Sequence, residues 1–186
     1  MKALDGSCPE MHGEAVFSNY FVVACADGVL KVDSDFTTAK FAYPTADVRA
    51  WSLEHGTRGS LVTAPTATGV LVLDTRSGEW TSARTADEAL ASGISSDGKT
   101  VFSIQADGTF RVFDAVTGAE LSSTPVLGAR WKDGDPEPTM QVAGTRAYVS
   151  DPAADTVLEI DYRDSGRLAR TFDIGFSPAS IGVVGS

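Results

Sequence analysis

Hydrophobic and polar residues alternate in four short runs that end in aspartate and recur along the chain at similar spacing. The runs are 29–33 (VLKVD), 70–74 (VLVLD), 110–114 (FRVFD) and 157–161 (VLEID). Their final aspartates, at positions 33, 74, 114 and 161, are 41, 40 and 47 residues apart. Apolar residues at alternate positions indicate a half-buried β-strand, and the aspartate indicates a turn after it. The chain is therefore predicted to contain four copies of one β-structured unit.

Turns and further strands surround each run in the same order. A turn precedes each run, at 26–28 (ADG), 67–69 (ATG), 106–108 (ADG) and 154–156 (ADT). Three of the runs lead into a second turn, at 74–78 (DTRSG), 114–118 (DAVTG) and 161–166 (DYRDSG). Another β-rich run lies upstream of each first turn, at 20–25, 61–65, 101–105 and 147–150. Each unit is thus predicted to hold four antiparallel strands, A to D, which is the pattern of a propeller blade.

The fold class we predict is all-β: a β-propeller with about four blades present from a larger ring. The whole chain, 1–186, is one propeller portion, with blades at roughly 12–50, 51–86, 87–129 and 130–176, and a closing strand at 177–186. A β-sandwich is the alternative, although it would not require strand C to recur in the same phase. Because open blade faces and strand edges need cover, we expect a missing propeller half or a second copy to supply it.

The charge of the chain narrows the classes of partner. It carries 15 Lys and Arg against 25 Asp and Glu, a formal net charge of −10. Such an acidic surface repels phosphate backbones and anionic lipids, so we expect neither nucleic acid nor membrane as a partner.

Residues 1–6 lack the apolar segment of a secretory signal. Either the protein is cytosolic or this sequence lacks the native N-terminus of the protein, and we expect the latter. The segment 132–138 (KDGDPEP) is predicted to be an exposed loop, with a binding loop as the alternative.

Two histidines, His12 and His55, are the only ones in the chain, and glycine follows each of them. They lie 16 and 14 residues before Gly28 and Gly69, the glycines of the first turns. If the A–B hairpin of the second unit is two residues shorter, both occupy the start of strand A and face one channel mouth. Imidazole is a common zinc ligand, and carboxylates complete such sites. The candidate carboxylates are Glu14, Glu54, Asp87, Glu88, Glu137 and Asp151. The alternative is that each histidine only hydrogen-bonds to the backbone.

The position of the first A–B hairpin also predicts whether the two cysteines, Cys8 and Cys25, lie close together. If residues 17–20 turn the first A–B hairpin, His12 pairs near Cys25 and Cys8 can reach Cys25 across the hairpin mouth. A disulfide there would stabilise the fold by about 3 kcal/mol in the chain-entropy model. Two reduced, buried cysteines and a zinc site made by Cys8 with His12 remain as alternatives.

The segment 8–15 (CPEMHGEA), followed by 24–30 (ACADGVL), resembles the corresponding pattern of bacterial zinc metallochaperones of the AztD type. The tail segments 148–153 (YVSDPA), 159–162 (EIDY), 170–173 (RTFD) and 176–178 (FSP) are similar as well. The resemblance implies a periplasmic or secreted β-propeller of about twice this length. It also implies a disulfide between Cys8 and Cys25, with His12, His55 and Glu14 as zinc ligands.

What the resemblance implies about function is zinc delivery to the substrate-binding protein of a zinc ABC importer, with zinc as the bound metal. A non-catalytic binding scaffold without metal is the alternative function. A lactonase- or lyase-type propeller is a third. The sequence shows no Gly-x-Ser-x-Gly motif and no evident nucleophile–base pair, so we expect no enzymatic activity.

Overall fold

The chain folds into four separate four-stranded antiparallel sheets, in a computed structural model that describes residues 5–184. Each sheet is a meander whose strands pair in chain order, as predicted for propeller blades. The first two sheets are formed by β1 (His12–Val16), β2 (Tyr20–Cys25), β3 (Gly28–Asp33), β4 (Thr38–Ala42), β5 (Glu54–His55), β6 (Leu61–Thr66), β7 (Gly69–Asp74) and β8 (Trp80–Arg84). The last two are formed by β9 (Ala89–Ile94), β10 (Thr100–Gln105), β11 (Thr109–Asp114), β12 (Glu120–Pro125), β13 (Met140–Ala143), β14 (Arg146–Asp151), β15 (Thr156–Asp161) and β16 (Arg167–Asp173).

The sheets, named blades 1 to 4, stack face to face, and their first strands contact one another. Each of the three junctions between consecutive blades is filled by one apolar cluster. The largest side chains lie between blades 3 and 4, where Phe102 stacks on Phe110 and on Tyr162. Because both faces of blades 2 and 3 are covered, Val70–Leu73 are buried without interruption. The prediction of a half-buried strand is therefore wrong for 70–73, whereas in the run 110–113 Arg111 stays partly exposed between buried neighbours.

The outer faces of blades 1 and 4 meet no further blade within the described residues. On blade 1, Phe21 and Val16 are exposed beside the buried Leu30 and Val32. On blade 4, the corresponding face is charged, and Arg146 pairs with Glu159 and with Asp161. These two faces lie at opposite ends of the stack of blades.

A closing strand is predicted at 177–186, and residues 177–184 of it form no strand in this structure. Residues 174–184 make no strand, and residues 185–186 lie outside the described part of the chain. A β-strand needs a neighbour for its backbone hydrogen bonds, and no described strand lies beside this segment. The closing strand therefore stays a prediction. The four observed sheets fall within the ranges 12–50, 51–86, 87–129 and 130–176.

A disulfide joins Cys8 to Cys25 and fixes the segment before β1 to the outer face of blade 1. Cys25 is fully buried against Leu30 and Val32. The hairpin turns at 17–20, where the Phe17 amide donates to the Tyr20 carbonyl. His12 pairs with Ala24, next to Cys25 as expected, and a bulge at Gly13 follows it.

Removing this disulfide is expected to lower the free energy of unfolding by about 3 kcal/mol, because the unfolded chain gains the conformational entropy of the loop that the bond closes, with a sequence separation of 17. The variant is Cys8→Ala/Cys25→Ala, and the measurement is denaturant unfolding with and without dithiothreitol. The reductant should lower the midpoint of the wild type and leave that of the double variant unchanged. Equal midpoints for the oxidised and reduced wild type would show that the bond does not contribute to stability.

Candidate functional site

A cavity of about 500 Å³ opens beside the start of the first strand of each blade. It lies at the end of the blades where the turn between β2 and β3 and the equivalent turns of the other blades are found. We call it the mouth cavity. Its walls come from all four blades or the segments that lead into them: His12, Asp47, Val48, Arg49, Trp51, Ser52, Pro65, Thr66, Ala67, Thr68, Glu88, Ala89, Leu90 and Glu137. The cavity thus collects one histidine and three carboxylates, those of Asp47, Glu88 and Glu137, from distant parts of the sequence.

His12 is held in one tautomer and orientation by a backbone carbonyl. Its Nδ1 lies 2.7 Å from the carbonyl oxygen of Trp51. Because a carbonyl oxygen only accepts hydrogen bonds, Nδ1 carries the proton in the neutral imidazole, which leaves the lone pair on Nε2. The imidazole also meets the Trp51 ring edge to face, with centroids 5.2 Å apart. Zinc-binding histidines are typically oriented in this way, with the second ring nitrogen donating to a carbonyl or carboxylate.

Trp51 is itself fixed by a cation. The Arg49 guanidinium lies 3.9 Å from the centre of the Trp51 ring. It also donates to the carboxylate and, at 3.0 Å, to the backbone carbonyl of Glu10. Glu10 lies between Cys8 and His12, so the disulfide and this ion pair hold the same short segment.

Gly13 permits the close approach between β1 and the Trp51 backbone. It has a φ of +49°, and a Cβ there would lie 2.7 Å from the Trp51 carbonyl oxygen and 2.8 Å from Ser52 Cα. Any larger residue would therefore push away the carbonyl that accepts the His12 proton. This contact explains why glycine follows His12.

The candidate carboxylates are distributed over several places. Glu88 and Glu137 line the mouth cavity with His12. Asp87 forms an ion pair with Arg130, while Asp151 is buried and accepts from the Ala154 amide at 3.2 Å. Glu14 pairs with Val23 in the sheet, is exposed, and is not part of the cavity wall.

No group of three His, Cys, Asp or Glu side chains converges tightly enough to hold a metal ion anywhere in residues 5–184. Within the mouth cavity, the residues therefore provide one oriented imidazole and the carboxylates of Asp47, Glu88 and Glu137. Zinc typically takes four ligands, of which water or other groups can supply some.

His55 does not occupy the position expected of it. It pairs with Val62, at the end of β5 nearest the β5–β6 hairpin. Six residues, 56–61, separate this pair, whereas four residues, 17–20, separate Val16 from its partner Phe21. The second hairpin is thus two residues longer rather than shorter, and His55 corresponds to Val16. The prediction that His12 and His55 share one structural position is wrong.

A second cavity of about 420 Å³, the lower cavity, contains His55. It is lined by Glu54, His55, Gly56, Thr57, Arg58, Ser92, Gly93, Ile94, Ser96, Met140, Gln141, Val142, Ala143 and Gly144, none of which lines the mouth cavity. His55 Nδ1 lies 2.8 Å from the Gly56 carbonyl oxygen, and its ring lies 4.7 Å from that of Phe17. The contact with Phe17 makes His55 part of the junction between blades 1 and 2.

Desolvation raises the pKa of the Glu54 carboxyl, and the neighbouring His55 opposes that rise. The side chain keeps solvent contact in the lower cavity, so this effect is moderated by water. A raised pKa means that the folded protein favours the neutral acid. The protonated carboxyl stabilises the fold fully at a pH below the pKa that Glu54 has in the unfolded chain. This stabilisation is lost as pH rises through the pKa of Glu54 in the folded protein.

Replacing Glu54 with glutamine should therefore stabilise the protein increasingly as pH rises from about 4 towards 7. The measurement is denaturant unfolding of Glu54→Gln and wild type at a series of pH values. Asp133→Asn, which removes one exposed loop acid, controls for the change in net charge. A difference between Glu54→Gln and wild type that stays constant with pH would contradict the expectation.

The loop at 132–138 is exposed as predicted, apart from Pro138, which is buried. The Trp131 indole donates to the Asp135 carbonyl at 3.1 Å, and the Lys132 amide donates to the Asp135 carboxylate at 3.1 Å. Its last acidic residue, Glu137, reaches the mouth cavity. The loop therefore closes on itself and contributes one wall residue to the candidate site.

Sequence reasoning missed Trp51 and Arg49, which orient His12. Both lie in the connection between β4 and β5, outside the repeated strands. In the sequence they are recognisable only as an aromatic and a cationic residue just before the first strand of a blade. That pattern is too common to indicate a functional site.

Comparison with known proteins supports the fold. No protein-family model and no curated protein matches the chain. Among solved structures, apo AztD from Citrobacter koseri matches with a TM-score of 0.78 and 18% identity, over 95% of this chain and 50% of that one. A second Citrobacter koseri AztD structure matches with a TM-score of 0.76 and 20% identity, over 95% and 50%. BamB from Moraxella catarrhalis matches with a TM-score of 0.69 and 20% identity, over 87% and 47%.

The chain thus has the β-propeller fold and spans about half the length of these solved proteins. Its structural similarity to AztD agrees with the resemblance found at residues 8–15 and 24–30. In the described part of the chain, no helix is long and apolar enough to cross a bilayer.

Proposed function

We propose that this chain belongs to a zinc metallochaperone that binds zinc in the mouth cavity and delivers it to the substrate-binding protein of a zinc ABC importer. The observation that carries the proposal is the orientation of His12. Its Nε2 lone pair is free while Nδ1 donates to the Trp51 carbonyl. The AztD-like segment at 8–15 and the structural similarity to AztD support the same function.

The ligand set in this proposal is His12 through Nε2, with Glu88 and Glu137 supplying carboxylate oxygens. Carboxylates bind zinc less strongly than thiolates would in a structural site, and both side chains here are exposed to solvent. An imidazole must be neutral to bind, so mild acid releases the metal. A site of this kind suits loading and release, and the proposed role involves no bond-breaking chemistry.

The periplasm is the compartment we propose. The Cys8–Cys25 disulfide supports it, since such bonds persist in oxidising compartments. Because the bond restrains the segment that carries His12, an oxidising environment also favours a preformed site.

Competition titration tests the proposal. The chain is titrated with zinc against a chromophoric chelator at pH 7, with magnesium and calcium in parallel. We expect one zinc ion per chain, bound at micromolar concentration or below, and no comparable binding of the other two metals. Zinc binding no tighter than that of magnesium would contradict the proposal.

A metal-free binding scaffold is the second candidate. The lack of three converging metal-binding side chains in residues 5–184 favours it. It predicts that any zinc affinity survives the loss of His12, because weak binding would then come from scattered surface acids. The two functions are therefore distinguished by the same titration on a His12 variant.

A further inference from the structure

Gln105 is a buried polar residue whose role is not explained by packing. It ends β10 in blade 3 and has no exposed surface. A buried carboxamide must satisfy its hydrogen bonds, or it destabilises the fold by about 1–3 kcal/mol. Its partners therefore indicate what it holds in place.

The orientation of the carboxamide follows from its neighbours. One end faces the carbonyl oxygens of Asp87, at 2.8 Å, and Glu88, at 3.2 Å. An amide oxygen at that end would face two acceptors, so the nitrogen lies there and donates to them. It also lies 3.0 Å from Thr85 Oγ1, while the oxygen accepts from Ser103 Oγ at 2.5 Å.

The side chain thus bridges β10 to the connection between blades 2 and 3. That connection, residues 85–88, joins β8 to β9 and carries Glu88 into the mouth cavity. The Glu88 carbonyl also accepts from the Ala106 amide at 2.8 Å. Asp87 is held from outside by Arg130.

No other blade repeats this arrangement. The residues that end the second strand in blades 1, 2 and 4 are Cys25, Thr66 and Asp151. Cys25 forms the disulfide, Thr66 donates to the nearby Gly69 carbonyl, and Asp151 accepts from its own turn. A long amide at this position is therefore not required by the blade itself.

We propose that Gln105 is a positioning residue for zinc binding: its carboxamide fixes residues 85–88 so that Glu88 faces the metal held by His12. This inference rests on the proposed function. Gln105 does not touch the metal and acts only through the backbone of Asp87 and Glu88.

Gln105→Met tests the proposal, since it keeps the side-chain length and removes the donors. Two readouts are needed after circular dichroism has shown that the variant is folded. The first is limited trypsin cleavage after the exposed Arg84, which directly precedes the connection. We expect cleavage to accelerate about tenfold, because the connection opens locally more often.

The second readout is a double-mutant cycle on the zinc dissociation constant. Gln105→Met should weaken zinc binding about tenfold in the wild-type background. In the Glu88→Gln background it should have no further effect, because the group that it positions is already lost. Equal weakening in both backgrounds would overturn the inference.

Two controls complete the experiment. Ser103→Ala removes only the partner of the amide oxygen and should leave cleavage at Arg84 near the wild-type rate. Thr85→Val is a milder variant for use if Gln105→Met does not fold, and it should accelerate cleavage to a smaller extent. Unchanged cleavage in Gln105→Met, or in Thr85→Val if that replaces it, contradicts this inference alone, whereas absence of zinc binding in the wild type contradicts the proposed function.

Discussion

Replacing His12 with alanine is expected to weaken zinc binding more than about 100-fold, since loss of a group that merely supports a ligand already costs about 10–100-fold. The proposed site has a single imidazole, so no other nitrogen ligand in the mouth cavity can compensate. The side chain is exposed and lies at the start of β1, so its removal should leave the fold intact. Competition titration gives the affinity, and thermal unfolding without metal checks the fold.

His55→Ala is the matched control for this prediction. The same chemical group is removed, but from the lower cavity, which shares no wall residue with the mouth cavity. We expect the zinc dissociation constant to change less than about threefold, as for independent sites. Equal losses in the two variants would indicate a shared site and would contradict the separation seen in the structure.

Replacing Gly69 with alanine is expected to lower the free energy of unfolding by about 3 kcal/mol or more, from backbone strain together with a steric clash. Gly69 opens β7 with a φ of +124°, and a Cβ there would lie 2.1 Å from the Ala83 carbonyl oxygen. The adjacent strand β8 would have to move away, which would disturb the sheet of blade 2. Denaturant unfolding measures the change.

Gly144→Ala is the control for Gly69→Ala. Gly144 also has a positive φ, +57°, but a Cβ there would meet no atom within 4 Å. The expected cost is about 1 kcal/mol, from the left-handed conformation alone. Similar losses for the two variants would show that the close approach to β8 is not what makes Gly69 necessary.

The repeat allowed the fold to be predicted from the sequence. Strand C ends at Asp33, Asp74, Asp114 and Asp161 in the structure, which are the four aspartates that defined the period. Local alternation, turn glycines and turn aspartates all act within a few residues, so they can be recognised without knowing the tertiary structure. The disulfide followed from the same local hairpin argument, as one of three alternatives.

The candidate site was predicted less well, because hairpin lengths control which residues meet. Counting from Gly28 and Gly69 placed His12 and His55 together, but the second hairpin is longer than the first rather than shorter, and this separates them. The hairpin was expected to be two residues shorter and is two residues longer, and this difference of four positions equals the distance from His12 to Val16, the two ends of β1.

The carboxylates illustrate the same limit. Glu88 and Glu137 were among six candidates, and nothing local distinguished them from Glu14. Their shared cavity arises from the stacking of blades 1 to 4, which brings together segments more than 40 residues apart. Trp51 accepts from His12, Arg49 binds Glu10, and Gln105 holds residues 85–88. These contacts join segments distant in the sequence, so their roles become visible only in three dimensions.

The central claim is that zinc binds His12 Nε2 in the mouth cavity. Anomalous diffraction at the zinc absorption edge, from crystals of the zinc-loaded chain, tests it most directly. We predict a peak at about 2.0–2.1 Å from His12 Nε2, with oxygen from Glu88 or Glu137 completing part of the coordination. A peak at His55 with none at His12, or no peak in the mouth cavity of crystals proven to contain zinc, would contradict it.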